Sequence, residues 1–154
     1  MRNLILQGRI ARRAIYLRNL GDDVVTQTFD DHYLDFDEVV DAGFRAAASL
    51  GLKATQQAAA FGRKIRFAVQ LDDVKSELHR SPSAEARERA CCLNKIDLTS
   101  DQLFITRKLR HAWLNEPDES LGNKSPRQIL ISGQLSDMRA VHRLLTRVRA
   151  QIIG

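Results

Sequence analysis

Four histidines, two cysteines and a scatter of carboxylates are the groups of this chain best suited to bond chemistry, and their spacing argues against it. His32, His79, His111 and His142 lie far apart, without the short intervals that metal ligation uses. Cys91 and Cys92 are adjacent, and neighbours on one backbone are badly placed to pair with each other or to chelate one ion. Reduced thiols filling core space are expected instead. Asp30 and Asp31 with His32 imitate a catalytic cluster, yet acids gathered before a helix serve more often as a turn and a cap. There is no glycine-rich phosphate loop and no serine in a nucleophile elbow. Neither catalysis nor a metal or cofactor is expected.

Arginine at helical spacing is the more telling pattern. Arg139, Arg143 and Arg147 stand four residues apart and Arg149 follows them. Such a row recognises charge, on a polyanion or an acidic protein surface, and its plain alternative is a solvated helix face. The net charge of +5 is unevenly spread. Residues 1–20 hold five arginines and no acid, and Gly21 to Arg45 hold eight acids against one arginine. Ala46 to Leu71 again lack any acid, and residues 100–154 carry nine basic groups against five acidic ones.

Elements must hold these groups in place, and 154 residues with 44% apolar and 28% charged side chains suffice for one sizeable core or two small ones. No apolar run approaches the roughly 18 residues that cross a bilayer, and charges interrupt the start where a signal peptide needs an apolar centre. A cytoplasmic protein without a membrane is expected. The fold class is mainly α. An N-terminal helical domain over 1–80 is followed by a small C-terminal helical domain over 81–154, with the boundary at HRSPSAEAR. Residues 1–34 read equally as an amphipathic helix or as a short β-hairpin.

LDFDEVVDAGFRAAASLG predicts a helix capped by Asp35 with Glu38 reaching back, stapled by Leu34 on Val39, apolar along Val40, Phe44, Ala47 and Ala48, and stopped by Gly51. TQQAAAFGRKIRFAVQL predicts a second helix with Phe61, Ile65, Ala68 and Val69 on one face. Two helices joined by a tight glycine turn fit a helix-turn-helix. Its DNA contacts would then come from Gln56, Gln57, Arg63, Lys64 and Arg66, glutamines to adenine edges and cations to phosphates. The same pair reads as an ordinary helical hairpin with a basic side, and an apolar position usual after such a glycine is here Gln57.

Further on, Ser81 with Pro82 predicts the start of a helix through Ala84 to about Asn94. Thr99 with Gln102 predicts a capping box for the next, stapled by Leu98 on Leu103, with Ile105, Leu109, Ala112 and Trp113 on its apolar face. Pro117 ends it, Gly122 and Asn123 tolerate a turn, and Ser125, Pro126 and Gln128 start a short helix that Gly133 stops. A last helix, from about Asp137 with Ser136 as its cap, buries Met138, Val141, Leu144, Leu145, Val148 and Ile152.

Trp113-Leu114, Pro117, Leu121-Gly122, Ser125-Pro126 and Leu130, then a glycine and an amphipathic helix ending Leu-Leu-x-Arg-Val, resemble the toxin-binding domain of the Xre/MbcA/ParS antitoxins over roughly residues 98–151. Two positions depart from that pattern: Asn123 stands where the family has a second glycine, and the family's glycine after the final helix falls at Gln151. The resemblance implies an antitoxin of a type II toxin-antitoxin system, forming a tight and commonly oligomeric complex with a co-encoded toxin, often a RES-domain enzyme that destroys NAD. It implies toxin contacts at Arg143, Arg147, Arg149, Gln151 and Ile152. Trp113, Leu114, Pro117, Leu121, Gly122, Pro126 and Leu130 would be the packing that orients the final helix. It also implies repression of its own operon through operator DNA. The competing expectation is a stand-alone transcription regulator that uses the C-terminal domain to dimerise.

Overall fold

The computed structural model describes residues 35–63 and 71–153, which form seven α-helices and one 3-10 turn, with no strand among the described residues. The helices are α1 (Phe36–Ser49), α2 (Ala54–Ala60), α3 (Leu71–Arg80), α4 (Ala84–Leu103), α5 (Arg107–Leu114), α6 (Pro126–Ser132) and α7 (Leu135–Ile153). The 3-10 turn, Glu119–Leu121, lies between α5 and α6. The hairpin or helix expected within 1–34, and the staple from Leu34, lie outside the described residues.

Helix α1 begins as its sequence predicts. The Asp35 carboxylate accepts the Glu38 amide at 2.8 Å, and the Glu38 carboxylate accepts the Asp35 amide at 3.2 Å. Val39, Val40, Phe44 and Ala47 are buried, whereas Ala48 is exposed, one step off the inward face. Gly43 lies where α1 crosses α4: a Cβ there would come within 2.7 Å of the Ala90 Cβ, so only glycine lets the two helices approach this closely.

The long second helix is cut short. Helix α2 has seven residues, because Gly62 takes φ +79° and lets the Arg63 amide reach back to the Ala58 carbonyl at 3.0 Å, which closes the helix end. Phe61 at that end stacks on Phe44 with centroids 4.2 Å apart. Ile65, Ala68 and Val69 lie outside the described residues. The described chain resumes at α3, which buries Val74 and Leu78 and sets His79 Nε2 3.1 Å from the Asp41 carboxylate of α1.

Helix α4 corrects two expectations. Its cap is Ser83, whose hydroxyl accepts the Ala86 amide at 3.1 Å, while the Ser81 amide still bonds the end of α3. It then runs for 20 residues through Thr99, because Ala86, Ala90, Leu93, Ile96, Ser100 and Leu103 keep one buried stripe at intervals of three and four. The true cap of the next helix is Thr106, its hydroxyl accepting the Leu109 amide at 3.2 Å. That later start rotates α5: Ile105 and Ala112 are exposed and Leu109 only partly buried, while Arg110, Trp113 and Leu114 face inward. Helix α7 also starts earlier than Asp137. Gly133, at φ +69°, turns the chain so sharply that the Gln134 carbonyl already accepts the Met138 amide at 3.0 Å, leaving Ser136 exposed in the first turn.

The buried apolar side chains of α1, α2 and α3 join those of α4 to α7 in one core, with α4 packed on both α1 and α7. The described part of residues 1–80 therefore closes over the same core as 81–154.

Candidate partner-binding surface

Two faces divide α7. Met138, Val141, Leu144, Leu145 and Val148 are buried against the core. Arg139, Arg143, Thr146, Arg147, Ala150 and Gln151 form the exposed side. Arg139 is ion-paired to Glu88 of α4, but Arg143 and Arg147 meet no hydrogen-bonding or acidic partner among the described residues. The remaining expected contacts point elsewhere. Arg149 is half-buried and donates from Nη1 to the Gln102 side chain at 3.0 Å, and Ile152 packs partly against the core. Arg143, Arg147 and Gln151 thus share an outward face, while Arg149 and Ile152 lean toward the body of the protein.

The inner edge of this helix is positive as well. Burial pushes the His142 pKa down, and the nearby charges of Lys95 and Arg149 push it further. Burial raises the Cys92 thiol in the same α4–α7 region, outweighing the opposite pull of Arg139 and Lys95, so this cysteine is held as a thiol. Cys91 is buried in the core, as its composition suggested.

The joint that aims α7 is tightly specified. Trp113, Leu114, Leu121, Pro126 and Leu130 are all buried, and the Trp113 ring lies 5.4 Å from that of Phe104. Gly122 and Asn123 both take the left-handed backbone, at φ +66° and +61°. Ser125 caps α6 reciprocally with Gln128, at 3.2 and 2.9 Å. Pro117 and Gly122 are exposed and shape the turn rather than fill the core. The helix ends at Leu114, before Pro117. Sequence reasoning overlooked Asp118: it is buried, and it accepts the Ser120 amide at 2.8 Å while its own amide bonds the Lys124 carbonyl at 3.2 Å.

Of the residues expected to read DNA, the three that are described make contacts within the protein. Gln57 is 7% exposed and donates to the Leu52 carbonyl at 2.9 Å, which removes it from any groove-facing role. Gln56 caps its own helix by accepting the Lys53 amide at 2.9 Å. Arg63 is ion-paired to Glu77 at 3.0 Å, and Lys64 and Arg66 lie outside the described residues. The short polar start of α2 holds the α1–α2 turn together.

Among the described residues no cluster of histidine, cysteine, aspartate and glutamate is placed to hold a metal ion, and no helix is long and apolar enough to cross a membrane. Comparison with known proteins finds no matching family model, no similar curated protein and no similar solved structure.

Proposed function

We propose that this chain is an antitoxin that neutralises a co-encoded toxin by direct complex formation, presenting the outer face of α7 to it. The observation that carries this reading is the Arg143 and Arg147 row, exposed and lacking any acidic partner among the described residues, on a helix whose direction the buried Trp113–Leu130 joint holds. An unpartnered guanidinium row suits an acidic or nucleotide-binding surface, where complementary potential speeds encounter and rejects wrong partners. A RES-domain enzyme that degrades NAD is the toxin class proposed, from the resemblance alone, and the complex is proposed to be oligomeric. Operator binding through residues 54–63 has no comparable support, since Gln57 is buried and Arg63 is paired.

The test is coexpression with the product of the adjacent reading frame. Arg143→Glu with Arg147→Glu is expected to abolish rescue from toxicity and copurification while leaving the thermal midpoint within a few degrees of the parent. Undiminished rescue by the double variant overturns the assigned contact face, and a neighbour that is not toxic overturns the antitoxin reading.

A further inference from the structure

A second concentration of uncompensated positive charge lies away from the α7 row, in a cleft of about 380 Å³ between the C-terminal turn of α1 and helix α5. Ala48, Leu50 and Leu114 give it an apolar floor, and Arg107, Lys108 and His111 stand around it. Two carbonyl oxygens, one at the end of α1 and one just beyond it, which would repel an anion, are already engaged by guanidinium groups. Arg110 donates to the Ser49 oxygen at 2.8 Å, and Arg127 donates to the Gly51 oxygen at 3.1 Å. The carboxylates of Asp97 and Asp101 are turned to Arg110 at 2.9 and 3.9 Å. Arg107 and Lys108 are exposed and have no acidic partner among the described residues.

His111 is fixed for the same task. Its Nδ1 lies 3.3 Å from Arg127 Nη2, and because arginine only donates, a bond between them uses Nδ1 as the acceptor. Gly51 supplies the open wall: a side chain there would bring its Cβ to 3.4 Å from the Arg127 guanidinium and 3.7 Å from His111 Nδ1.

We propose that this cleft is an oxyanion site, taking the phosphate or carboxylate group of a small organic anion whose apolar edge lies along Ala48, Leu50 and Leu114. Its volume is at the lower end for small-molecule sites, which start at roughly 300 Å³. Converging donors over an apolar floor are what such sites use to fix orientation. The site does not depend on the antitoxin reading and is tested without any toxin.

The experiment is an amide-resonance titration of the full chain with inorganic phosphate, with acetate and with chloride at matched ionic strength. Saturable shifts at Gly51, Arg107 and Lys108 are expected with phosphate, acetate or both, at least tenfold weaker in Arg107→Gln with Lys108→Gln and unchanged in Arg143→Gln with Arg147→Gln. The anion that saturates identifies the headgroup. Because Arg107 and Lys108 are exposed, their double variant is expected to keep the parent's spectrum elsewhere. Phosphate and acetate that act no differently from chloride overturn the proposal, as does equal binding by the Arg107 and Lys108 variant.

Discussion

Arg110 and Arg147 are the same side chain in opposite situations. Arg110, on α5, is 5% exposed and holds the Asp97 carboxylate of α4 at 2.9 Å together with the Ser49 carbonyl and hydroxyl of α1 at 2.8 and 3.2 Å. One guanidinium thereby ties three helices at one corner. Taking it out of water costs several kcal/mol, and only that full set of partners offsets the loss. Arg147, on the outer face of α7, stays solvated and meets no acid among the described residues. It contributes little to the fold and is free for a partner. Arg110 is thus a structural cation at the α1–α4–α5 corner, whereas Arg143 and Arg147 on α7 and Arg107 and Lys108 at the α5 cleft meet no acid among the described residues.

The largest expected effect comes from breaking that corner. Arg110→Ala removes the guanidinium and strands Asp97, whose side chain is only 26% exposed. A loss of about 3 kcal/mol in urea unfolding is expected, the lower end for orphaning a buried ion-pair partner. A loss under about 1 kcal/mol would put Arg110 in the same class as Arg147. The pH dependence sharpens the point. Despite its arginine, Asp97 has its pKa raised above 3.8, because burial outweighs the pull of Ser49 and Arg110. A raised folded pKa means that stability is fully present below about 3.8 and is lost as pH rises through the folded value. Without Arg110 the raising is greater, so the variant's deficit is expected to be smallest below pH 3.8 and to grow toward neutrality.

A smaller effect belongs to the inner edge of α7. The His142 pKa is lowered from 6.5 by burial first, then by Lys95 and Arg149. A depressed folded pKa contributes stability that is present above 6.5 and lost as pH falls through the folded value. His142→Gln is expected to flatten the decline in stability as pH falls below about 6.5 while leaving stability above that pH unaltered. Parallel declines in parent and variant would mean that His142 is less buried, and feels Lys95 and Arg149 less, than its geometry implies.

The split between these arginines is not legible in the chain, and two copies of one motif show the limit. Ser125 with Gln128 and Thr99 with Gln102 share the spacing of a capping box, yet only the first caps a helix. Before Ser125 the left-handed Gly122 and Asn123 break the chain, and Pro126 keeps Ser125 extended. Before Thr99 nothing breaks it, and the buried stripe from Ala86 to Leu103 carries the helix straight through. Helix stops are therefore readable at glycine breakers such as Gly51 and Gly133, and the cap at the α5–α6 joint is readable too, whereas Pro82 beside Ser81 and Gly133 before Ser136 did not place the caps of α4 and α7. Gly62 was a breaker read as part of a helix, since the apolar spacing of Phe61 and Ile65 masked it. Arg110 shares its inward face with Trp113 and Leu114, but a cation is set aside when apolar periodicity is traced, and its partners Asp97 and Ser49 are distant in sequence. The α5 cleft was missed for the same reason, because Gly51 and Arg107 meet only through the tertiary fold.

The smallest effect on stability is expected where the exposed row is erased. Arg139, Arg143 and Arg147 are like charges four residues apart on one helix, and such pairs destabilise a helix by roughly 0.2–0.5 kcal/mol each. Arg139 is compensated by Glu88, so the repulsion left to remove is that around Arg143 and Arg147. Arginine and alanine are both good helix formers, so replacing one by the other costs little in propensity. Arg143→Ala with Arg147→Ala is thus expected to leave stability unchanged or to raise it by up to about 0.5 kcal/mol at low salt. The gain should vanish near 1 M salt, where the screening length falls to about 3 Å. Urea midpoints of parent and variant at two salt concentrations measure it directly. A loss above about 1 kcal/mol would exceed what an exposed, solvated pair can supply. It would reveal an intramolecular partner for these guanidiniums, and the contrast with Arg110 would then be one of degree.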